Sequence, residues 1–407
     1  MNLGITQGSL ADVCSLVTDG THDTPKRVQS GFPLIKAKEI VSGQIDFSSC
    51  DQISETEHRK VIARSKPEIG DTLFTHIGAS LGAAAYVNTT REFSIKNVAL
   101  FKPNTAIIDS RYLYYLVVSP NFQSLAIGTR TGSAQPFLGL SQLRGHRIQY
   151  HSDLTMQRRI AGILSAYDEL IENSQQRIKI LESMARSLYR EWFVNFRFPG
   201  HEKVKLVPSP LGDIPKGWEV KKLCKLISYN RRATKPGPHL DDRKYVPIDC
   251  IPSNSLALME AKPIEEAQSS LQLFEQGDIL FGAMRPYFHK VSIAPFAGVT
   301  RTTCFVFKPV RPEWHAFATM TVFEESTVAY ANAHSQGATI PYAAWDGSLS
   351  EMSLVFPPMD LLLHFEKAVA PLIKQLSQSY FTFNNLRQTR DLLLPRLMSG
   401  QGNPQKN

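Results

Sequence analysis

Hydrophobic residues recur at alternating steps of three and four along residues 153–198, a stretch without proline. A period of 3.5 residues is typical of a helix that packs lengthwise against another helix. Adding 205 to each position gives a second seam within residues 359–398. The sequence therefore predicts two long helices in contact through these seam positions: Ile160, Leu164, Ile171, Ile178, Leu181, Leu188, Phe365, Val369, Leu372, Leu376, Phe383, Leu386 and Leu393.

Capping and helix-breaking residues mark the ends of both helices. Ser152-Asp153 supplies an N-cap for the first helix, and Pro199-Gly200 ends it. In the second helix, Pro371 predicts a kink or two separate segments, because proline donates no backbone hydrogen bond. Pro395 predicts that this helix ends near residue 394. One seam position, Arg390, breaks the apolar pattern.

The segments before each helix contain short β-prone runs divided by Gly, Pro, Asn and Asp, a pattern that predicts mixed α/β globules. Three motifs of the first globule return in the second at offsets of 205–207, which indicates an internal repeat. The repeated motifs are Gly70–Phe74 with Gly277–Phe281, Phe101–Pro103 with Phe307–Pro309, and Gly132–Phe137 with Gly337–Tyr342.

The predicted fold class is α/β (α+β), with two similar globules and two long helices in a pseudo-twofold repeat. Between the motifs the globules differ widely, so we expect a shared fold with different surfaces. The predicted organisation is globule 1–152, helix 153–198, proline-rich linker 199–216, globule 217–358, helix 359–398 and a disordered tail 399–407.

Composition adds a weak preference for a polyanionic partner. The 407 residues carry a net charge of +8 and are 43% hydrophobic, as in ordinary globular proteins. The two helices account for +1 and +2 of that charge, so most of the excess lies elsewhere. No apolar run is long enough for a membrane span, and the N-terminus resembles no secretory signal. Five scattered cysteines fit reduced thiols, so a cytoplasmic location is expected.

Most enzyme signatures are missing from the sequence, including a phosphate-binding glycine loop, His-Glu-x-x-His, Cys-x-x-Cys and a Gly-x-Ser-x-Gly elbow. Asp213 and Glu219-Val220-Lys221 loosely resemble a metal-dependent nuclease pattern, but their spacing is short and favours turn chemistry. We therefore predict no catalytic residue and no metal site. An enzyme with an unrecognised site stays open as a minor alternative.

Polar, turn-rich segments in both globules carry residue types that read DNA. Arginine can contact guanine bidentately and glutamine adenine, whereas hydroxyls and backbone amides contact phosphates. Each segment alone is more typical of a solvated turn, but their recurrence in both globules favours function. The candidate DNA-binding residues are Thr21, His22, Thr24, Lys26, Arg27, Arg130, Thr131, Ser133, Gln135, Arg231, Arg232, Arg285, Tyr287, Lys290, Gln336 and Thr339.

Six passages in the expected order resemble the specificity subunit of a type I restriction–modification system. They cover essentially the whole chain, and those of the helices are the more specific. The recognition domains of that family vary too much for base contacts to be carried over. The passages are Asp19–Pro25, Phe32–Ile40, Gln157–Ala161, Leu188–Phe196, Ile214–Glu219 and Leu392–Gly400.

The resemblance implies a non-catalytic, sequence-specific DNA-binding subunit. Each globule would be a target recognition domain that reads one half of an asymmetric bipartite target. The helices would pack antiparallel as a coiled coil, set the spacer and dock the methyltransferase subunits.

The implied partners are double-stranded DNA, two modification subunits and, in some complexes, two restriction subunits, with no membrane. This chain would bind no cofactor, while S-adenosylmethionine, ATP and Mg would be bound by those partners. The alternative from another class is a coiled-coil scaffold whose globules bind proteins.

Overall fold

The protein is described here by a computed structural model that covers residues 4–41, 43–128, 137–337 and 339–399. Its contacts divide the chain into two compact units, one formed by residues 1–170 with 387–407 and the other by residues 171–386. Each unit thus contains one globule and a piece of both long helices. The predicted α+β class with an internal repeat is confirmed.

The first unit has twelve strands among its described residues, together with five short helices and the start of a long one. The strands are β1 (Ile5–Ser9), β2 (Cys14–Asp19), β3 (Arg27–Val28), β4 (Phe32–Ile35), β5 (Ile40–Val41), β6 (Gln44–Ile45), β7 (Asp51–Ile53), β8 (Thr72–Phe74), β9 (Ala84–Tyr86), β10 (Ser94–Ile95), β11 (Ala99–Pro103) and β12 (Arg147–His151). The helices are α1 (Leu10–Val13), α2 (Glu55–Ser65), α3 (Ser110–Val118), α4 (Pro120–Gly128), α5 (Leu140–Arg144) and the long α6 (Leu154–Tyr189).

The second unit also has twelve strands among its described residues, but only two short α-helices besides the long one. Its strands are β13 (Leu206–Ser209), β14 (Gly212–Pro215), β15 (Glu219–Lys222), β16 (Ile227–Tyr229), β17 (Ala233–Thr234), β18 (Lys244–Tyr245), β19 (Leu271–Phe274), β20 (Ile279–Gly282), β21 (Val291–Ile293), β22 (Gly298–Arg301), β23 (Cys304–Pro309) and β24 (Ser353–Phe356). Its helices are α7 (His315–Phe323), α8 (Glu325–Ala333) and the long α9 (Met359–Met398).

One four-stranded sheet is duplicated strand for strand. Its order is β2-β11-β8-β9 in the first unit and β16-β23-β20-β21 in the second. The repeated Gly-Asp motif forms the turn before the third strand of each sheet. Asp71 accepts a hydrogen bond from the Glu68 backbone at 2.7 Å, and Asp278 accepts one from Glu275 at 2.8 Å. The recurring motif is therefore explained by turn structure.

The repeated Phe-Lys-Pro motif serves the same turn. Lys102 lies 2.6 Å from Asp71, and Lys308 lies 3.6 Å from Asp278. Burial raises the pKa of both carboxyl groups, which the neighbouring ammonium groups oppose. Because both members of each pair stabilise the fold, neither motif marks a functional site.

The other four-stranded sheet differs between the units. Its order is β10-β4-β7-β3 in the first unit and β18-β22-β19-β17 in the second. Each contains one parallel pair, β4 with β10 and β18 with β22. In each unit, the third of these four strands in chain order (β7 or β19) pairs antiparallel with one member of the parallel pair. In the first unit that member is the second strand in chain order, β4, whereas in the second unit it is the fourth, β22. The two globules therefore share one sheet and have diverged in the other.

The first long helix departs from its predicted end, whereas the second spans the predicted residues 359–398. The first is α-helical only to Tyr189 and continues as a π-helical turn, Arg190–Val194. The predicted division into two segments at Pro371 is wrong, because α9 runs as one helix from Met359 to Met398, and the alternative of a kink stays a prediction. That helix also passes Pro395, and the Ser399 N–H donates to the Pro395 carbonyl at 3.0 Å.

Within the second unit the helix pieces run antiparallel. Arg177 donates to the Gln375 side chain at 2.8 Å, and the Trp192 ring, in the π-helical turn after α6, lies 5.6 Å from the Phe365 ring. The contacting apolar residues form one core with the globule. The predicted seam positions buried in this core are Ile178, Leu181, Phe365, Val369 and Leu376. Phe383 is buried as well, whereas three seam positions are half-buried: Leu188, Leu372 and Leu386.

A buried carboxylate attaches α6 to the globule of the second unit. Glu182 accepts hydrogen bonds from the Ser255 hydroxyl at 2.7 Å, the Leu256 N–H at 2.8 Å and the Ala257 N–H at 3.1 Å. These bonds satisfy two backbone donors that are sealed from water. The loop 255–257 is therefore held directly by the long helix.

In the first unit the helix pieces also run antiparallel, with Ile160 and Leu164 in one core with Leu394 and Leu397. Arg390, which breaks the apolar pattern, lies 2.8 Å from Asp168 of α6. The Tyr115 hydroxyl donates to the other Asp168 oxygen at 2.6 Å. A polar network thus replaces an apolar contact at this position, an arrangement that fixes helix register in coiled coils.

The segment predicted as a linker contains a β-hairpin. Strands β13 and β14 pair antiparallel, and Gly212, with φ of +93°, lies at their turn. The extended backbone expected from its prolines is used for strand pairing. In the described part of the chain, no helix combines the length and the apolar character needed to cross a membrane.

Candidate nucleic-acid interface

The polar turn that follows β2 is rigidly fixed in the first unit. Asp19 is buried and contacts the Arg64 guanidinium, and it lies 2.9 Å from His22. The other His22 ring nitrogen lies 2.9 Å from the Asn97 side chain. His22 is exposed but already has two partners, so it positions this turn.

A cationic cleft of about 200 Å³ adjoins that turn. Lys36 forms an ion pair with Asp51, whereas Lys96 donates to the Thr24 hydroxyl and has no carboxylate partner among the described residues. Arg27 lies 3.2 Å from Asp51 on the exposed side. The arrangement suits an anion such as a backbone phosphate. The residues that line the cleft are Lys36, Ala37, Lys38, Ile77, Lys96 and Asn97.

The candidates of the first globule are only partly brought together. Thr21 forms a β-bridge with Lys96, and the Thr24 hydroxyl accepts a hydrogen bond from the Lys96 ammonium group, so both threonines lie near the cleft. Lys26 is exposed beside them in sequence. Arg130, Thr131, Ser133 and Gln135 lie outside the described residues, and their role stays a prediction.

In the second unit, several candidates meet around a short turn that we call the aromatic tip, Arg285–His289. The Arg285 N–H donates to the Pro341 carbonyl at 2.7 Å, and Met284 bridges to Tyr342. Gln336 also pairs with Tyr342 through two backbone hydrogen bonds of 2.8 and 2.9 Å. The exposed residues Arg285, Tyr287, Gln336 and Thr339 therefore belong to one surface region.

The remaining candidates of the second globule have structural partners. Arg231 contacts Asp346, with its guanidinium 4.8 Å from the Tyr229 ring centre. Arg232 lies 3.0 Å from Glu275. Lys290 is half-buried, and its ammonium group donates to the Ile248 and Ile251 carbonyls at 2.8 Å each. In this conformation Lys290 stabilises a loop and is not free to contact DNA.

The aromatic tip has a counterpart in the first unit, the turn Gly78–Gly82. The Leu81 N–H donates to the Gly78 carbonyl at 3.1 Å, and at an offset of 207 Phe288 donates to Arg285 at 3.0 Å. Gly78 and Gly82 have φ of +84° and +100°, and at the same positions Arg285 and His289 have φ of +52° and +51°. The second unit thus keeps a left-handed backbone without its glycines.

That conformation costs about 1–2 kcal/mol for a residue with a side chain. We therefore expect Arg285→Gly to raise the free energy of unfolding by about 0.5–1 kcal/mol, since glycine adopts this φ without strain. Thermal melting measures the change. Gly78→Ala is the matched control and should destabilise by a similar amount; a lower melting temperature for Arg285→Gly would refute the strain.

Sequence reasoning missed Lys36, Lys96, Asn97 and Phe288. Lys96 lies far in sequence from the turn it contacts, and no local pattern announces that pairing. Tyr287-Phe288 could have been noticed as two aromatic residues beside an arginine. In the described chain, no group of three or more His, Cys, Asp or Glu is arranged to bind a metal ion.

Comparisons with known proteins show which proteins this chain is similar to. No family model matches the chain. A curated relative, the type I restriction enzyme MjaIX specificity subunit of Methanocaldococcus jannaschii, is 25% identical over 91% of this chain and 89% of its own length. The putative MjaX specificity subunit of the same organism is 25% identical over 70% of this chain and 68% of its own.

A solved structure has the same fold. The S subunit of a type I restriction–modification system from M. genitalium is 14% identical, covers 98% of this chain and 96% of its own, and superposes with a TM-score of 0.60. At that identity the match concerns the fold alone. Together with the curated relatives, it confirms the resemblance to type I specificity subunits that the sequence motifs predict.

Proposed function

We propose that this chain, similar along nearly its whole length to type I specificity subunits, is the sequence-specific DNA-binding subunit of such a complex. The observation that carries the proposal is the internal repeat, in which two globules share a sheet and differ in the surfaces attached to it. Two related but different readers suit an asymmetric bipartite target. The net charge of +8 and the lysine-lined cleft favour a polyanion.

Each globule reads one half of the target in this proposal. In the first, Lys96 and the turn after β2 contact the phosphate backbone near the cleft. In the second, the region around the aromatic tip carries Arg285, Gln336 and Thr339, side chains that can contact base edges or phosphates. At the repeat offsets, Arg285, Gln336 and Thr339 correspond to Gly78, Thr131 and Ala134 of the first globule, so the two half-sites are expected to differ.

The long helices set the spacer between the half-sites. An α-helix of about 40 residues spans about 60 Å, enough to separate two readers by about one turn of duplex, near 34 Å. The polar network of Asp168 and Arg390 fixes the register of the pair in the first unit, so the spacer has one length. Two adenine-methylating modification subunits dock on the outer faces of the helices in the cytoplasm, and restriction subunits join them for cleavage.

The chain itself performs no catalysis in this account. S-adenosylmethionine, ATP and Mg belong to the partner subunits, and the residues of this chain bind and orient DNA for them. The similarity to specificity subunits and a sequence in which the common enzyme signatures are not found support that assignment.

Salt dependence separates this proposal from a protein-binding scaffold. The complex isolated through a tag on this chain should bind duplexes selected from a randomised pool, with an affinity that falls about a thousandfold between 50 and 200 mM salt. The steep decrease results from counterion release at phosphate contacts. Failure to select any duplex, or binding that does not respond to salt, would favour the scaffold.

A further inference from the structure

The aromatic tip presents two large rings to solvent. Tyr287 is 51% exposed and Phe288 is 44% exposed, and their ring centres are 4.7 Å apart. Exposed aromatic side chains in contact with each other on one short turn are typical of a binding surface. The counterpart turn in the first unit has Ser80 and Leu81 at these positions. The rings are therefore an addition to the repeated fold.

The backbone beneath the rings is held at both ends. On one side the Arg285 N–H donates to the Pro341 carbonyl. On the other, the buried His289 ring nitrogen Nε2 donates to the Phe323 carbonyl at 2.8 Å, and the His289 carbonyl accepts from the Asn254 N–H at 2.9 Å. Pro286 is buried between them. The tip is thus preorganised and loses little conformational entropy on binding.

Backbone strain is retained where glycine would remove it. The first unit uses Gly78 and Gly82 in this turn, whereas the second keeps Arg285 and His289 in the left-handed region. Strained positions persist where the surrounding structure enforces them, and they cluster at binding sites. The gain here is a fixed backbone position for an arginine that precedes the two aromatic residues in sequence.

We propose that the aromatic tip is a wedge that inserts Tyr287 and Phe288 against the bases of the second half-site and unstacks one base step. Apolar side chains that enter DNA in this way kink the duplex and select steps that deform easily. Arg285, exposed and without a carboxylate partner in the described chain, contacts the adjacent phosphate. This inference rests on the proposed DNA-binding function and specifies how one half-site is read.

The partner that contacts the tip is DNA in this proposal, because positively charged side chains lie in the same surface region as the rings. Arg285 is the N-terminal residue of the tip, and the exposed Arg301 precedes Thr302, whose carbonyl accepts a hydrogen bond from the Tyr342 hydroxyl. Helix α8 packs against the tip, and the carboxylates at its start, Glu324 and Glu325, act on the buried His289 side of the tip; Glu324 is itself buried and lies 2.8 Å from Arg190. A neutral or basic protein surface would not complement these arginines.

Chemical probing of base stacking tests the wedge. The probe is a duplex selected from a randomised pool by the tagged wild-type complex, treated with permanganate and diethyl pyrocarbonate, which attack unstacked thymines and purines. We expect one hyperreactive step in one half of the footprint. The double variant Tyr287→Ala, Phe288→Ala should lose that reactivity and bind about tenfold more weakly, in line with the loss of base–aromatic stacking.

Matched variants isolate the role of the rings. Tyr287→Phe should keep the reactive step, and Ser80→Ala, at the position that corresponds to Tyr287 in the first unit, should change nothing. The double variant should keep the salt dependence of the wild type. Arg285→Ala should reduce the slope of log binding constant against log salt concentration by about one, because one phosphate contact is lost. Because both rings are exposed, the melting temperature should stay unchanged.

Three results would overturn the wedge while leaving DNA binding intact. They are a wild-type footprint without any reactive step, a double variant that keeps both reactivity and affinity, and a double variant that binds DNA normally but no longer retains its protein subunits. If the wild-type complex selects no duplex at all, the proposed function itself fails. The two failures are thus distinguishable.

Discussion

Replacing Phe365 by alanine is expected to lower the free energy of unfolding of the second unit by about 3–5 kcal/mol. The side chain is fully buried at the contact between α6 and α9. Its ring lies 4.7 Å from the Phe193 ring and 5.6 Å from the Trp192 ring. Truncation leaves a cavity among rigid aromatic neighbours that cannot close around it.

Denaturant unfolding followed by tryptophan fluorescence measures this effect, since Trp192 lies beside the cavity. Phe381→Ala is the control, because Phe381 is on the same helix but 43% exposed. It should change the free energy by less than about 1 kcal/mol. Equal effects of the two substitutions would show that the seam contributes no special stability.

Gly20→Ala is expected to destabilise the first unit by about 3 kcal/mol and to weaken recognition of the first half-site. A Cβ atom on Gly20 would lie 2.0 Å from the Ile95 carbonyl oxygen, a distance that only a backbone shift can relieve. That shift would move Thr21, which donates to the same carbonyl, and with it the turn beside the cleft.

Thermal melting and half-site binding measure the two consequences. Gly162→Ala provides a control of opposite sign, because Gly162 lies in α6 with no atom near the added Cβ. Alanine there should stabilise the helix by up to about 1 kcal/mol. A Gly20→Ala variant as stable as the wild type would disprove the close backbone approach.

Local sequence signals predicted the helical parts of the fold well. The predicted helices 153–198 and 359–398 correspond to α6, Leu154–Tyr189 with its π-helical turn, and to α9, Met359–Met398. Helix α2 was missed although Ser54 caps it by accepting from the Glu57 N–H, a spacing visible in the sequence. Capping and periodicity depend on neighbours in sequence, so such elements are accessible.

Features that depend on distant partners were not accessible. Strand β1 pairs with β12, more than 130 residues later, and its own sequence has no strong alternation. The same applies to Arg390, which breaks a seam in sequence but meets Asp168 in the fold. Pro371 predicts a kink or two separate segments in α9; the helix is not divided, because packing along its length outweighs one lost hydrogen bond, and the kink stays a prediction.

In the candidate site, too, the residue types could be predicted from the sequence, whereas their contacts with distant partners could not. Residue type identified Arg285, Tyr287 and Gln336, and the fold brings their segments together. It could not distinguish these from Lys290, whose ammonium group binds two backbone carbonyls. Nor could it find Lys96, since the cleft forms only when β10 pairs with β4.

The central claim is that this chain selects the DNA sequence that its complex modifies. A single-molecule methylation map of genomic DNA tests it most directly, comparing cells that contain this chain with cells from which only its gene is deleted. We expect one asymmetric, bipartite adenine-methylated motif to disappear on deletion and to return on complementation. An unchanged methylation map in cells whose complex is otherwise intact would contradict the account.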